Sequence, residues 1–557
     1  MAFGAAAKGG ALSATTATLP ARRGRLLDAV ISTDHKSIAR GLLLVALVMF
    51  LGGGVMALIM RSELAQPGLQ VVSTGTYNAL FTMHGSTMIY AVVIPLALAL
   101  GVYLVPLQVG AAQIAGPRVA LIGLWLLVLG ALTMQAGWLT NGGPGRATWI
   151  GVAPLSEFQR TPNSGQDLWI LGVGVLSLGE WLLSLCVLFT ALRKRAPRMT
   201  LLRMPPFTWS MVGTTLMGVF AFPVLVVLMG LLWYDRRNCC LFDGPQGPLN
   251  YQHLFWFYGH PVVYVMFFPF VGAVAEVFSA FCRRRLFGYE FFVGATILTF
   301  AGLSMSVWGH HMFTTGRVDD RYFALTSHMI IAAAGVEYFD IALTAWRGKI
   351  RFTTAFLFAV TFMMQFLIGG LSGVWVASPP LDFQAHNSYI VIAHFHYTLF
   401  AGSMFGAFAG IYYWFPKWTG AMLREGLGKL QLVLMIIGTN ITFGLMFAVG
   451  EDGMPRRIAN YLPSDGWGTL NLLESIGAGV IALGILVFLL NLVVSLRRRV
   501  PAGPDPWGGP SLEWATTSPP PEHNFDALPP IRSYAPLFDL ARDEVEAGRL
   551  RPEEAPA

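Results

Sequence analysis

Twelve long runs of apolar residues divide this chain, at roughly 41–60, 77–107, 118–137, 168–192, 207–233, 258–282, 290–313, 325–346, 352–376, 388–415, 428–450 and 468–496. Crossing the hydrocarbon of a bilayer takes about 20 residues of α-helix. Nothing restricts the fold more, because in lipid every backbone N–H and C=O must be paired internally, which leaves only helices and closed barrels. Barrel strands alternate polar and apolar side chains, and these runs do not. The expectation is an all-α membrane protein with twelve transmembrane helices. Composition agrees: 12% of the 557 residues are charged, about half the share usual in soluble domains.

Basic residues orient the segments. Arg193, Lys194, Arg195 and Arg198 follow segment 4, and Arg283, Arg284 and Arg285 follow segment 6. Arg347 and Lys349 follow segment 8, Lys417 follows segment 10, and Arg497, Arg498 and Arg499 follow segment 12. The positive-inside rule places even-numbered loops and both termini in the cytoplasm. This topology accounts for the net charge of +7, and no nucleic-acid partner is implied. Residues 1–30 read as a cytoplasmic N-terminal arm without a signal-peptide core. Residues 31–499 form the twelve-helix unit, and 500–557, with Pro519, Pro520 and Pro521, read as an extended cytoplasmic tail. Cys186, Cys239, Cys240 and Cys282 have no CxxC or CxxCH spacing, so they signal neither zinc nor covalent haem attachment.

Six histidines lie toward the outer end of these segments: His84, His260, His310, His311, His394 and His396. Ionisable side chains are costly inside a bilayer and mark function by default. The topology puts all six in one layer, about 10 Å below the outer surface at 1.5 Å per residue. Isolated hydrogen-bonding histidines between helices would not gather this way. His394 and His396 are two apart, about 200° on a helix, so one helix could serve two redox centres. His260 and Tyr264 are four apart and share a face. His310 and His311 splay by about 100° and, with His260, could give three imidazoles to one copper. His84 and His396 then remain as a possible bis-histidine haem pair, with His394 as a single axial ligand.

At these residues the chain resembles subunit I of the haem–copper oxygen reductases. The resemblance runs through STDHKSIA, MHGSTMIY, YQHLFWFYGHPVVYV, VWGHHMFTTG, AHNSYIVIAHFHY, GMPRR and DPWGGPSLEWATTSPPP. It implies a low-spin haem on His84 and His396, a high-spin haem on His394, both of A type, and copper on His260, His310 and His311. It further implies that Tyr264 is covalently bonded to His260 and supplies a proton and an electron to O–O cleavage. Arg456 and Arg457 resemble the pair that holds haem propionates, and Arg61 the arginine that hydrogen-bonds the low-spin haem. His386 matches a magnesium site whose usual Asp neighbour is here Asn387. The implied partners are a copper-containing subunit II, a subunit III, cytochrome c or an equivalent donor, O2 and membrane lipid. The implied setting is a bacterial inner membrane.

The proton-path positions depart from the family. Where a GAPD-like motif has an acid this chain has Gln113, and two residues after His260 the usual Glu is Val262. A subgroup has a Tyr-Ser pair before that His, and here the pair is Tyr258 and Gly259. The Thr and Lys of the second route align with His328 and Glu337. Two acids inside apolar runs, Glu180 and Glu337, are candidates for rebuilt routes, because buried carboxyls can shuttle protons. The leading expectation is a terminal oxidase subunit with proton uptake and possible pumping. The alternatives are a nitric oxide reductase, which lacks a Tyr at the Tyr264 position, and a non-enzymatic proton-coupled transporter, which would bind no haem.

Overall fold

The computed structural model describes residues 30–296, 301–551 and 554–556; most of the expected N-terminal arm lies outside them. Among the described residues, eleven helices are long and apolar enough to cross a membrane. They are α1 (His35–Glu63), α2 (Thr74–Gln108), α3 (Pro117–Leu139), α4 (Ser164–Arg193), α5 (Pro206–Asn238) and α6 (Gly247–Cys282), then α8 (Asp320–Ala345), α9 (Thr354–Val376), α10 (Tyr389–Thr419), α11 (Glu425–Glu451) and α12 (Gly468–Arg498). The seventh segment is described in pieces. A short helix α7 (Tyr289–Gly294) and a turn of helix at Gly302–Ser304 precede a 3₁₀ stretch, Trp308–Thr315.

Polar residues at the segment starts set where the helices begin. The side chains of Asp34, Ser73, Asn163, Asp319, Thr353 and Ser388 each accept from a backbone N–H in the first turn, satisfying a donor that the helix cannot. α6 begins at Gly247 rather than near 258, so His260 stands well inside it. The helix is extended by YQHLFWFY, whose Tyr251, Phe255 and Tyr258 are buried inside the protein and whose Trp256 lines the central cavity.

α3 packs on α4, α4 on α5, α5 on α6, α9 on α10, and α11 on α12. The α3–α4 contact rests on glycines. A Cβ at Gly130 would meet the backbone of Leu176 at 2.4 Å and Gly172 O at 2.6 Å, and one at Gly179 would meet Gly123 O at 2.6 Å. Small residues allow such close approach between helices in lipid, where the packing itself must hold them together. Large side chains on the outer faces, Leu44 and Val48 of α1 and Leu483 and Leu490 of α12, are exposed, as a lipid-facing surface requires.

The C-terminal tail is less extended than its prolines suggest. It contains a helix over Pro536–Glu546, and Ser511, Leu512, Glu513 and Trp514 are buried. Its Glu522 carbonyl and Asn524 side chain accept from Lys36 Nζ at 2.9 and 3.0 Å, tying the tail to the start of α1.

Candidate metal and haem centre

One cavity of about 1360 Å³ opens between α1, α2, α6, α8, α9, α10, α11 and α12, and all six histidines line it. Helix irregularities surround it. α2 has a π-helical turn over Ile89–Val93, just past His84. α10 changes from α to π geometry at His396, and α11 carries a π turn at Asn440–Gly444. Such turns often occur at functional sites.

The hydrogen bonds assign the ring nitrogens. His84 Nδ1 lies 2.9 Å from Gly53 O, and His396 Nδ1 lies 2.9 Å from Ile392 O. A carbonyl accepts only, so each Nδ1 carries the proton and each Nε2 presents a lone pair. His394 Nδ1 lies 3.1 Å from Ser372 Oγ and 3.2 Å from Gly369 O, while Ser372 itself donates to Gly369 O. Nδ1 is again the donor. These partners fix tautomer and orientation, as metal-bound imidazoles require. His394 is held against α9, and His396 stacks on Phe443 of α11 with ring centroids 4.3 Å apart. The two thus serve different sides of α10, as their two-residue spacing implies. A Cβ at Gly373 would lie 3.1 Å from His394 Cε1, so glycine leaves that face of the imidazole open. His84 is an electrostatic neighbour of His396.

His260, His310 and His311 form a second group, with one ring nitrogen from each within 4.8 Å of the others. His311 Nε2 lies 3.2 Å from both His260 Nδ1 and His310 Nε2. Ligand nitrogens at metal–nitrogen distances of about 2.0 Å and tetrahedral angles stand about 3.3 Å apart, so this spacing fits a shared ion. Ser327 donates to Phe323 O, so the 2.7 Å contact from His310 Nδ1 to Ser327 Oγ gives Nδ1 the proton and leaves Nε2 free. Trp256 stacks on His311 at 3.9 Å. His310 and His311 sit in the 3₁₀ stretch, where successive residues turn by about 120° rather than the 100° of an α-helix. Tyr264 packs one turn from His260 with ring centroids 4.7 Å apart, and His260 Nε2 is buried without a hydrogen-bond partner among the described residues.

Cations meet the same cavity. Arg456 and Arg457 line it near the outer ends of the helices. Burial, then repulsion from Arg457, pulls the Arg456 guanidinium down to about 9, a penalty that bound carboxylates would offset. Arg61 also lines the cavity and is clamped onto α12 by Glu474 at 3.1 Å and Asn471 O at 2.8 Å. His386 Nδ1 lies 2.8 Å from Asp382 Oδ2. A carboxylate therefore stands beside His386 even though residue 387 is Asn; it comes from one helical turn earlier.

The proton-path candidates separate into two places. Glu180 is fully buried in the middle of α4, and neither carboxyl oxygen has a hydrogen-bond partner among the described residues. Tyr90 and Tyr258 are its electrostatic neighbours. The buried hydroxyls of Ser177, Ser210, Thr214 and Tyr258 also lack partners among the described residues. Gln113 is locked, its Oε1 lying 2.9 Å from His35 Nδ1 and accepting from Ile114 N at 2.9 Å. Glu337 accepts from Thr296 Oγ1 at 2.6 Å. His328 is not beside it: nine residues away on α8, it reaches Ser378 Oγ at 3.2 Å. The signal that marks Glu180 and Glu337, an acid inside an apolar run, also marks Glu276, Asp340 and Glu474. The sequence reading passed over these three.

Residues 37–480 match the family described as cytochrome c and quinol oxidase polypeptide I. The chain belongs to that family. It is 44% identical over 550 residues to a Nocardia farcinica protein described as "Probable cytochrome c oxidase subunit 1-beta", covering 96% of this chain and 93% of that one. It is 43% identical over 513 residues to a cytochrome c oxidase subunit 1 of Corynebacterium efficiens, covering 91% and 88%. A haem–copper terminal oxidase dimer solved by cryo-electron microscopy shares the fold, with a TM-score of 0.72 at 18% identity over 83% of this chain and 84% of that one. Polypeptide I of this family is a multi-pass membrane subunit of an oxidase complex and takes haem and copper. The lone-pair nitrogens, the close set of ring nitrogens on His260, His310 and His311, and the cationic rim fit those groups.

Proposed function

We propose that this chain is the O2-reducing subunit of a respiratory terminal oxidase in a bacterial inner membrane. It receives electrons that originate in cytochrome c or an equivalent donor through a copper-carrying subunit II, and it assembles with a subunit III. One observation carries the reading: six imidazoles line one cavity in three differently held groups, in a chain of the oxidase polypeptide I family. In this reading His84 and His396 hold a low-spin haem of A type, His394 a high-spin one, and His260, His310 and His311 a copper ion. When bound, these groups supply electron transfer and the reduction of O2 to water.

The protein's own residues position and protonate. Carbonyls and hydroxyls aim the imidazoles. Arg456 and Arg457 hold haem propionates through charge-assisted hydrogen bonds, and Arg61, steadied by Glu474, faces the low-spin haem. Tyr264, bonded to His260, gives a proton and an electron for O–O cleavage. His386 with Asp382 holds a magnesium ion. Glu180 and Tyr258 belong to a rebuilt first proton route, supported by the run of buried polar groups around them whose hydrogen bonds internal water would complete. Glu337 belongs to the second route, with His328 nearer its outer side. Residues 31–499 are the catalytic unit, flanked by cytoplasmic segments 1–30 and 500–557.

A reduced-minus-oxidised spectrum of the purified complex tests this reading, together with turnover on O2 and on NO. Two haem signals and O2 consumption are expected. A protein without haem bands, or one that turns over NO and not O2, would overturn it.

A further inference from the structure

The inner part of α8 carries two buried acids on neighbouring positions. Glu337 and Asp340 are three residues apart, which brings their Cβ atoms to about 5–6 Å on a helix. They are 3% and 5% exposed. Asp340 is the nearer to the inner end of α8 at Ala345, about 7.5 Å from it along the axis. Backbone presses on its carboxylate. Gly288 has φ +62°, and a Cβ there would lie 2.2 Å from Asp340 Oδ1. Asp340 Oδ2 is buried without a hydrogen-bond partner among the described residues.

An acid kept only for packing would have both oxygens satisfied, because a buried unmatched oxygen costs about 1–3 kcal/mol or more. On the other side of Glu337 stands Thr296. Its hydroxyl proton is shared between Phe292 O at 2.9 Å and Glu337 Oε1 at 2.6 Å. A hydroxyl can donate and accept, so Thr296 can hand a proton onward. Next to Glu337 on α8, Ala334, Gly335 and Tyr338 line the cavity that also contains Tyr264. Asp340, Glu337 and Thr296 therefore form a line of exchangeable groups from near the inner surface toward the cavity wall.

We propose that Asp340 is the inner intake of the second proton route and that it passes protons to Glu337. The proposal rests on the reading of this chain as an O2-reducing subunit. In each transfer the Asp340 O–H bond breaks as a Glu337 O–H bond forms, directly or through one bridging water. Asp340 is left as a carboxylate that takes its next proton from the inner aqueous phase. Glu337 gives its proton up toward Thr296 and the cavity, and no electron moves in these steps.

The test uses the purified holoenzyme. Asp340→Asn should keep the parental haem spectrum and copper content while slowing O2 consumption on the order of 100-fold, the low end of what a proton-transfer group contributes. Its solvent deuterium isotope effect should rise. Asp340→Glu and added formate, a small carboxylic acid, should each restore turnover. Asp340→Ser removes the acid with a smaller side chain and should behave as Asp340→Asn does, which guards against an assembly defect in either one. Parental turnover in both acid-free variants would overturn the proposal, as would a loss that neither Asp340→Glu nor formate relieves. Glu337→Gln should nearly abolish turnover. If it does while the Asp340 variants are normal, the second route stands and Asp340 is not its intake. If Glu337→Gln is also normal, the second-route assignment falls with it. Failure of the oxidase reading would show separately, as a parent protein without haem bands.

Discussion

His84, His394 and His396 each set one ring nitrogen against a carbonyl, and the place of that carbonyl decides where the other nitrogen points. The identity of these histidines is plain in the sequence, because an imidazole in an apolar run is hard to explain otherwise. Their partners are not. Gly53 is on a different helix from His84, and a carbonyl is common to every residue type. Nothing in the local pattern marks it as an acceptor. Glu180 shows the converse. It was legible as an acid in an apolar run, and the structure adds that both oxygens are unmatched in a fully buried setting. Glu180→Ala should leave O2 consumption within a few-fold of the parent while abolishing proton release on the outer side, measured with a pH indicator around vesicles. Undiminished proton release in that variant would remove Glu180 from the proposed first proton route.

At the scale of the element, sequence periodicity described the helices and missed their irregularities. The π geometry that begins at His396 and the 3₁₀ stretch under His310 and His311 depend on neighbours packed against them. A run of apolar residues reads the same whether it turns by 3.6 or 3.0 residues. Hydropathy starts α6 late for a related reason: YQHLFWFY is too polar for a bilayer core, yet it is helical from Gly247 onward. The α3–α4 contact gives a sharper test. Replacing Gly172 by Ala puts a Cβ 2.6 Å from Met134 N, a backbone atom that cannot swing aside. Overpacking of this kind costs about 1–3 kcal/mol, so Gly172→Ala should lower the thermal denaturation midpoint in detergent. Gly230→Ala, where nothing lies within 4 Å, should not. Equal midpoints in the two variants would contradict the close-packing account.

At the scale of the whole molecule, orientation and chemistry combine. Basic clusters follow the even-numbered helices, and Asp340 lies toward that basic side of the membrane while the histidine cavity lies toward the other. Protons consumed in O2 reduction should therefore come from the inner phase. In vesicles that present the outer face to the medium, turnover with external reduced donor should make the lumen alkaline. Lumen pH that stays constant when an uncoupler is absent would place proton intake on the wrong side.

The sequence by itself determined the class of fold, the topology and the six histidines that gather around one cavity. Each of these follows from a local cost: apolar length, basic flanks, and the price of an imidazole in lipid. Tertiary structure decided which nitrogen of His84, His310, His394 and His396 is free, that Asp382 stands in beside His386, that Arg61 is clamped by Glu474, and that Asp340 adjoins Glu337 with an oxygen unmatched among the described residues. These depend on which helices meet and at what depth. Contacts between residues hundreds of positions apart leave no periodic trace in the chain.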